Sequence, residues 1–235
     1  MACQVEGLQQ LHRLKDDFLA TVSHELRTPL TKVELALQLL GRTPLNEKQQ
    51  QYHRIALEEC HVEISLINKL LDLQRLETKD LAASVSAIDL NDFWVSLLAS
   101  VQERTQAQHL TLKITNPPPA AVIRTHLQHL SQILQELLEN ACKFTQPGGT
   151  ICLEIQPVPA GFEFKVGNTA QIEADQLPRL FDRFYRISSA DPWAQQGSGL
   201  GLALVKQWVE YLQGQIRVTS QAEWTWFILR LPDLK

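Results

Sequence analysis

His24 stands in the string S-H-E-L-R-T-P-L, Ser23 to Leu30, with Glu25 beside it, Thr28 one turn on and Pro29 next. At about 100° per residue, an imidazole two positions from both Val22 and Leu26 points away from their apolar stripe and into water. Thr28 shares its face. Pro29 interrupts the backbone ladder at a cost of about 3 kcal/mol, which a local bend at a reactive site would repay. An exposed ring with a carboxylate neighbour can serve as a nucleophile whose proton the carboxylate orients or removes. The same residues also fit an ordinary solvated helix face. A second constellation is Glu136, Asn140 and Lys143 in L-Q-E-L-L-E-N-A-C-K-F-T, Leu134 to Thr145. Their i, i+4, i+7 spacing puts them on one helix face, where any one alone would pass for a surface residue. The third is G-S-G-L-G-L-A-L-V, with Gly197, Gly199 and Gly201. No strand runs directly into it, so a dinucleotide-site context is missing. Glycines opening a helix nonetheless let backbone N–H groups approach a phosphate, where the helix dipole favours an anion.

The elements that must carry these groups follow from where glycine and proline fall. Residues 1–80 contain only Gly7, Gly41, Pro29 and Pro44, so the first part is predicted to be helical and the remainder mixed. Leu19, Val22, Leu26, Leu30, Val33, Leu37 and Leu40 recur at steps of three and four, one face of a helix. Gly41 to Asn46 reads as a turn. The second helix has Cys60, Ile64, Ile67 and Leu71 on one stripe and Leu66, Leu70 and Leu73 on its neighbour. Two helices cannot bury so wide a face, which predicts a homodimer whose paired hairpins make a four-helix bundle. Residues 79–88 read as a linker. Beyond it the pattern predicts a helix from about Leu90 to Gln106, a strand near Leu110 to Ile114 and a helix from about Thr125 to Lys143. Strands near Thr150 to Gln156 and Phe162 to Val166, a helix opening at Gly199, and strands at Gln215 to Ser220 and Thr225 to Leu231 complete it. The class is α+β, a sandwich with helices on one face of a sheet.

A chain of 235 residues suits two ordinary domains. With 44% apolar and 20% charged residues it can build cores and is no disordered polymer. Lys plus Arg number 22 against 26 Asp plus Glu, a net charge of -4 with no basic run, which gives nucleic-acid binding little electrostatic support. No apolar stretch approaches the roughly 20 residues of a membrane span, and no signal-peptide core is present, so the expectation is a soluble, cytoplasmic chain. Cys3, Cys60, Cys142 and Cys152 have neither zinc-site spacing nor the density of a disulfide framework and read as reduced thiols. Histidines 12, 53, 61, 109, 126 and 129 lack the context of His24 and read as structural or surface residues.

The octet around His24 resembles the phosphoacceptor box of bacterial sensor histidine kinases. Phe18 to Ser23 (F-L-A-T-V-S) and Leu70 to Glu77 (L-L-D-L-Q-R-L-E) extend the likeness through the hairpin. Leu134 to Thr145 is similar to the asparagine box of those kinases and of their gyrase-like and mismatch-repair relatives in the GHKL superfamily. V-G-N-T-A-Q-I, Val166 to Ile172, and L-F-D-R-F-Y-R, Leu180 to Arg186, stand where a glycine box and a phenylalanine box belong. The resemblance implies ATP and Mg²⁺: Asn140 ligates the metal through its amide oxygen, Lys143 reaches the phosphates, and Asn168 accepts a hydrogen bond from the adenine amine. Phe144, Arg183, Tyr185, Gly197, Gly199, Leu200 and Gly201 surround the nucleotide, and Ile187 to Gln195 is a mobile lid. His24 becomes the phosphoacceptor, Glu25 its orienting or basic partner, and Thr28 the residue that aligns water in the reverse reaction.

Four departures from the family pattern stand out. Glu136 replaces the usual asparagine and matches the ATPase relatives, where the glutamate activates water. Asn168 replaces an aspartate but still accepts through its carbonyl oxygen. Ala170 replaces a glycine, and Glu223-Trp224 lies where a final glycine pair would precede Thr225, which is expected to alter the base of the lid. The implied organisation is a dimerisation and phosphotransfer hairpin at 1–80, a linker at 81–88 and a Bergerat-type ATP-binding sandwich at 89–235. The implied activity is ATP-dependent autophosphorylation of His24, then transfer to an aspartate on a response-regulator receiver domain. The alternatives are a pseudokinase scaffold that keeps the fold, suggested by Ala170 and Glu223-Trp224, and a GHKL-type ATPase, suggested by Glu136.

Overall fold

The computed structural model describes residue 22 and residues 25–78, 84–115, 117–187 and 198–234. They fall into two compact units, Met1–Asp80 and Leu81–Lys235. Among the described residues no helix is long and apolar enough to cross a membrane. His24, Gly197, Cys3, His12, Leu19 and most of the predicted lid lie outside them.

In the first unit, helix α1 runs over residues 25–40 and continues through Pro29, while α2 spans Glu47–Thr78. The turn between them ends in a reciprocal cap. Gln49 N–H donates to Asn46 Oδ1 at 2.9 Å and Asn46 N–H donates to Gln49 Oε1 at 3.0 Å, which satisfies donors that a helix start otherwise leaves unpaired. Cys60, Ile67 and Leu73 of the predicted stripes on α2 are buried, and so is Leu76. Arg27 donates to Asn68 Oδ1 at 2.5 Å, and His61 Nε2 lies 3.1 Å from Glu34 Oε1. His53 Nε2 meets the Leu37 carbonyl at 2.7 Å. These two histidines are therefore part of the contact that closes the hairpin.

The second unit contains β1 (Ser86–Asp89), α3 (Leu90–Ala107), β2 (Thr111–Ile114), β3 (Val122–Thr125), α4 (Leu127–Phe144), β4 (Thr150–Val158), β5 (Gly161–Asn168), α5 (Gly201–Tyr211), β6 (Gln215–Gln221) and β7 (Trp224–Pro232). Its main sheet has the order β2-β4-β5-β7-β6, with β2 and β4 parallel and the other pairs antiparallel. Alternate residues of β4 (Ile151, Leu153, Ile155) and β7 (Phe227, Leu229, Leu231) are buried, the period-2 signature of a sheet with one covered face. Leu130, Ile133, Leu134, Leu137 and Leu138 of α4 are almost wholly removed from water. Each such leucine or isoleucine contributes about 1.5–3 kcal/mol of transfer free energy, so the helix that carries Glu136, Asn140 and Lys143 is fixed by its opposite face.

Two elements differ from the sequence expectation. Part of the predicted linker is strand β1, and the start of the predicted helix at Thr125 is the end of strand β3. The two pair antiparallel, Ile88 opposite Ile123. Their pairing joins segments more than 30 positions apart, which no local pattern reveals. Asp233 secures β3 from outside: its Oδ1 accepts the Arg124 N–H at 2.6 Å and its Oδ2 the guanidinium at 3.0 Å. Those bonds hold the Asp233 carboxyl below the usual range. At the far edge, the two-residue turn of the β6–β7 hairpin places Ala222 at φ 50° and Glu223 at φ 66°. A primed turn asks for positive φ at both central residues. The hairpin forms without glycine there, and Trp224 stacks on Trp226 at 5.5 Å between ring centroids.

Glu163, only 3% exposed, accepts from Gln156 Nε2 at 2.8 Å and from Arg230 Nε at 2.5 Å, with Lys165 Nζ at 3.6 Å. Burial pushes its carboxyl up, but the bonds from Arg230 and Gln156 and the two cationic charges outweigh burial and hold it low. A carboxyl held lower when folded than when unfolded stabilises the fold above its unfolded pKa, and that contribution vanishes as pH falls through the folded value. Glu163→Gln should therefore lower stability at neutral pH by about 1–3 kcal/mol. The gap to wild type should close as pH drops below roughly 4.3. Urea melts between pH 7 and pH 3 check this, and a gap independent of pH would contradict it.

Candidate functional site

α4 leaves Glu136 and Asn140 half-buried and Lys143 exposed on the side away from its leucines. The Lys143 ammonium lies 4.9 Å over the ring of Phe144, which is itself exposed. Thr145 ends the helix: its hydroxyl donates to the Ala141 carbonyl at 2.5 Å and accepts from Asn168 Nδ2 at 3.1 Å. Asn168 is the last residue of β5 and is 4% exposed. Among the described residues no hydrogen bond to its Oδ1 is found. The predicted adenine acceptor is thus tied to the end of the helix that bears the predicted metal and phosphate residues. The Asn140 amide oxygen is a hard donor of the kind Mg²⁺ takes with water completing the shell.

The stretch after Asn168 is held by two strands. Thr225 Oγ1 donates to the Ala170 carbonyl at 2.8 Å, Ile172 N–H donates to Ser220 Oγ at 2.9 Å, and the Ser220 and Thr225 hydroxyls lie 3.0 Å apart. The Ala170 carbonyl is thereby tied to β7. Thr145, Ser220 and Thr225 enter the sequence reading only as bounds of motifs and strands, with no role in the site. The one signal for Thr145 is a hydroxyl directly after a helix, where it can return a bond to the i−4 carbonyl.

The turn carrying Arg183 and Tyr185 meets the start of α5. Phe184 adopts φ 61° and donates its N–H to the Gly199 carbonyl at 3.0 Å. Positive φ is rare for a bulky residue. Arg179 lies 4.4 Å over the Tyr185 ring, Phe181 packs edge-on against Phe227, and Arg183 is exposed. Leu200 is buried and precedes Gly201 at the first turn of α5, which has no side-chain cap among the described residues. A helix start is the kind of place where backbone N–H groups can meet an anion. The structure thus brings together Asn168 with α4, and Gly199 with the Phe184–Tyr185 turn. Glu25 and Thr28 lie exposed on α1 in the other unit.

Residues 14–79 match the model of the His Kinase A (phospho-acceptor) domain, and residues 125–235 match that of the histidine kinase-, DNA gyrase B- and HSP90-like ATPase. The chain belongs to the histidine kinase family. It is 34% identical to the circadian input-output histidine kinase CikA of Thermosynechococcus vestitus, over 98% of this chain and 32% of that one. It is 33% identical to the autoinducer 2 sensor kinase/phosphatase LuxQ of Vibrio cholerae, over 89% of this chain and 25% of that one. The chain therefore spans about a third or less of these two curated relatives. Full-length ShkA, solved with AMPPNP, superposes with a TM-score of 0.76 at 27% identity, covering 92% of this chain and 45% of that one. The Acinetobacter baumannii histidine kinase AdeS, 21% identical, shares the fold with a TM-score of 0.64, over 90% of this chain and 98% of that one. In this family setting the helical hairpin followed by an α+β unit is the transmitter core.

Proposed function

We propose that this transmitter core binds ATP with Mg²⁺ and transfers the γ-phosphoryl group to His24, from which it passes to an aspartate of a response-regulator receiver domain. The observation that carries the reading is that a phosphoacceptor domain and a histidine kinase-type ATPase domain follow one another in a single chain. In the transfer, a P–N bond to the imidazole forms as the bond to the ADP oxygen breaks, and Glu25 orients the ring or takes its proton. The chain's task is positioning: Asn168 orients the adenine, Lys143 and the N–H groups at the start of α5 hold the phosphates, and Asn140 holds the metal. Bound Mg²⁺ would offset phosphate charge.

Homodimerisation is supported by what one hairpin leaves in water. Leu26, Val33 and Leu40 recur every seven residues at 48%, 49% and 46% exposure, and Ile55 and Val62 repeat the interval on α2 at 48% and 56%. A second hairpin laid against these rows completes a four-helix bundle. A cytoplasmic setting goes with ATP as the substrate.

Incubation with γ-labelled ATP tests the reading. Acid-labile label on the protein is the expected result, release of free phosphate alone would favour the ATPase reading that Glu136 suggests, and neither would favour a scaffold. Thr28 is assigned to the reverse reaction, where its hydroxyl aligns water against the phosphorylated regulator. Thr28→Ala should leave autophosphorylation near wild type and slow regulator dephosphorylation by roughly tenfold or more, with Thr28→Ser close to wild type. Equal loss in both steps would make the residue structural.

A further inference from the structure

Asparagine brings a problem that aspartate does not have: its two ends are opposite in polarity. One amide orientation presents an oxygen that accepts from the adenine amine, and the flipped one presents an NH₂ that donates to the carbonyl of guanine. A residue that fixes the orientation therefore sets which base is bound.

We infer that Thr145 is that residue, a positioning residue that holds Asn168 with its oxygen toward the base and so makes the site select ATP over GTP. The inference rests on the proposed reading of Asn168 as the adenine contact. A carbonyl oxygen can only accept, so the single hydroxyl proton of Thr145 is committed to Ala141 O at 2.5 Å. The hydroxyl oxygen is then an acceptor, and the amide end facing it at 3.1 Å must be the NH₂. Both residues are buried, Thr145 at 5% exposure and Asn168 at 4%, so water is a poor substitute for either bond. Flipping the amide forces the hydroxyl to leave Ala141 and turn toward the amide oxygen. Ala141 O would keep only the Thr145 N–H, at 3.1 Å. The bias thus amounts to about one neutral hydrogen bond, roughly twofold to tenfold in relative population. A carboxylate at 168 needs no such device, since both its oxygens accept.

The test is calorimetric titration of the whole chain with the nonhydrolysable imido analogues of ATP and GTP. Thr145→Val keeps the shape and deletes the hydroxyl, and Thr145→Ala serves if the valine variant does not fold. Either should shrink the ATP-to-GTP affinity ratio by roughly twofold to tenfold, and Thr145→Ser should restore it. In an Asn168→Asp background the valine substitution should leave the ratio unchanged. A ratio unaffected by Thr145→Val, an equal loss for both nucleotides, or the same loss of ratio in the aspartate background would overturn the inference. Asn168→Leu separates the two levels. Unchanged ATP-analogue affinity in that variant overturns the adenine reading beneath the inference, whereas weakened affinity together with an unmoved ratio in Thr145→Val overturns the inference alone.

Discussion

His24→Gln should abolish transfer of label from γ-labelled ATP to the protein, while ATP affinity stays within about twofold of wild type. Glutamine keeps a polar side chain of similar reach but its amide nitrogen has no lone pair free to attack phosphorus. A neutral imidazole carries a ring-nitrogen lone pair that can attack phosphorus. The nucleotide residues lie in the other compact unit, Leu81–Lys235, and additivity is the rule for sites without shared partners. Labelling equal to wild type would remove His24 as the acceptor. A large loss of ATP affinity would mean that the two units are not independent in binding.

How much of this is legible in the sequence depends on the range of each signal. Helices α3 and α4 announce themselves by periodicity, and α4 by five leucine or isoleucine residues that are almost fully buried. The start of α4 is harder to place because its N-cap is His126 without a side-chain bond, while Thr125, a residue type that favours caps, is the last residue of β3. Strand β3 ends just before it and is defined by Ile88 opposite Ile123, a partnership no local window contains. The same holds at the candidate site. Asn140, Lys143 and Asn168 can each be picked out by motif, yet that Asn168 bonds Thr145 across 23 positions is a fact of tertiary structure. The expectation of an atypical segment at Glu223-Trp224 meets an unusual turn one residue earlier, since Ala222 and Glu223 take the positive φ values.

Gly199→Ala should weaken ATP binding by at least about tenfold, or 1.4 kcal/mol, with the domain still folded. Gly199 has φ +71°, and a Cβ there would lie 2.8 Å from Phe184 C, 2.9 Å from Phe184 Cα and 2.9 Å from the Tyr185 oxygen. All three are backbone atoms, so no side chain can swing aside. Nor can Phe184 yield easily: its backbone is already at positive φ, and its N–H is bonded to the Gly199 carbonyl. The added methyl must therefore push residues 198–201 away from the Phe184 turn, and the first N–H groups of α5 move with them. Their alignment on the phosphates is lost, because anion binding at a helix start depends on where those few donors point. Strain alone predicts a different outcome. Alanine in a left-handed conformation costs about 1–2 kcal/mol wherever it occurs, and Gly148, at φ +81° with nothing within 4 Å of an added Cβ, isolates that cost. Gly148→Ala should lower thermal stability by a similar amount and leave ATP affinity unchanged. If both variants lose affinity equally, general destabilisation is the cause. If Gly199→Ala binds ATP as wild type does, the start of α5 does not hold the phosphates.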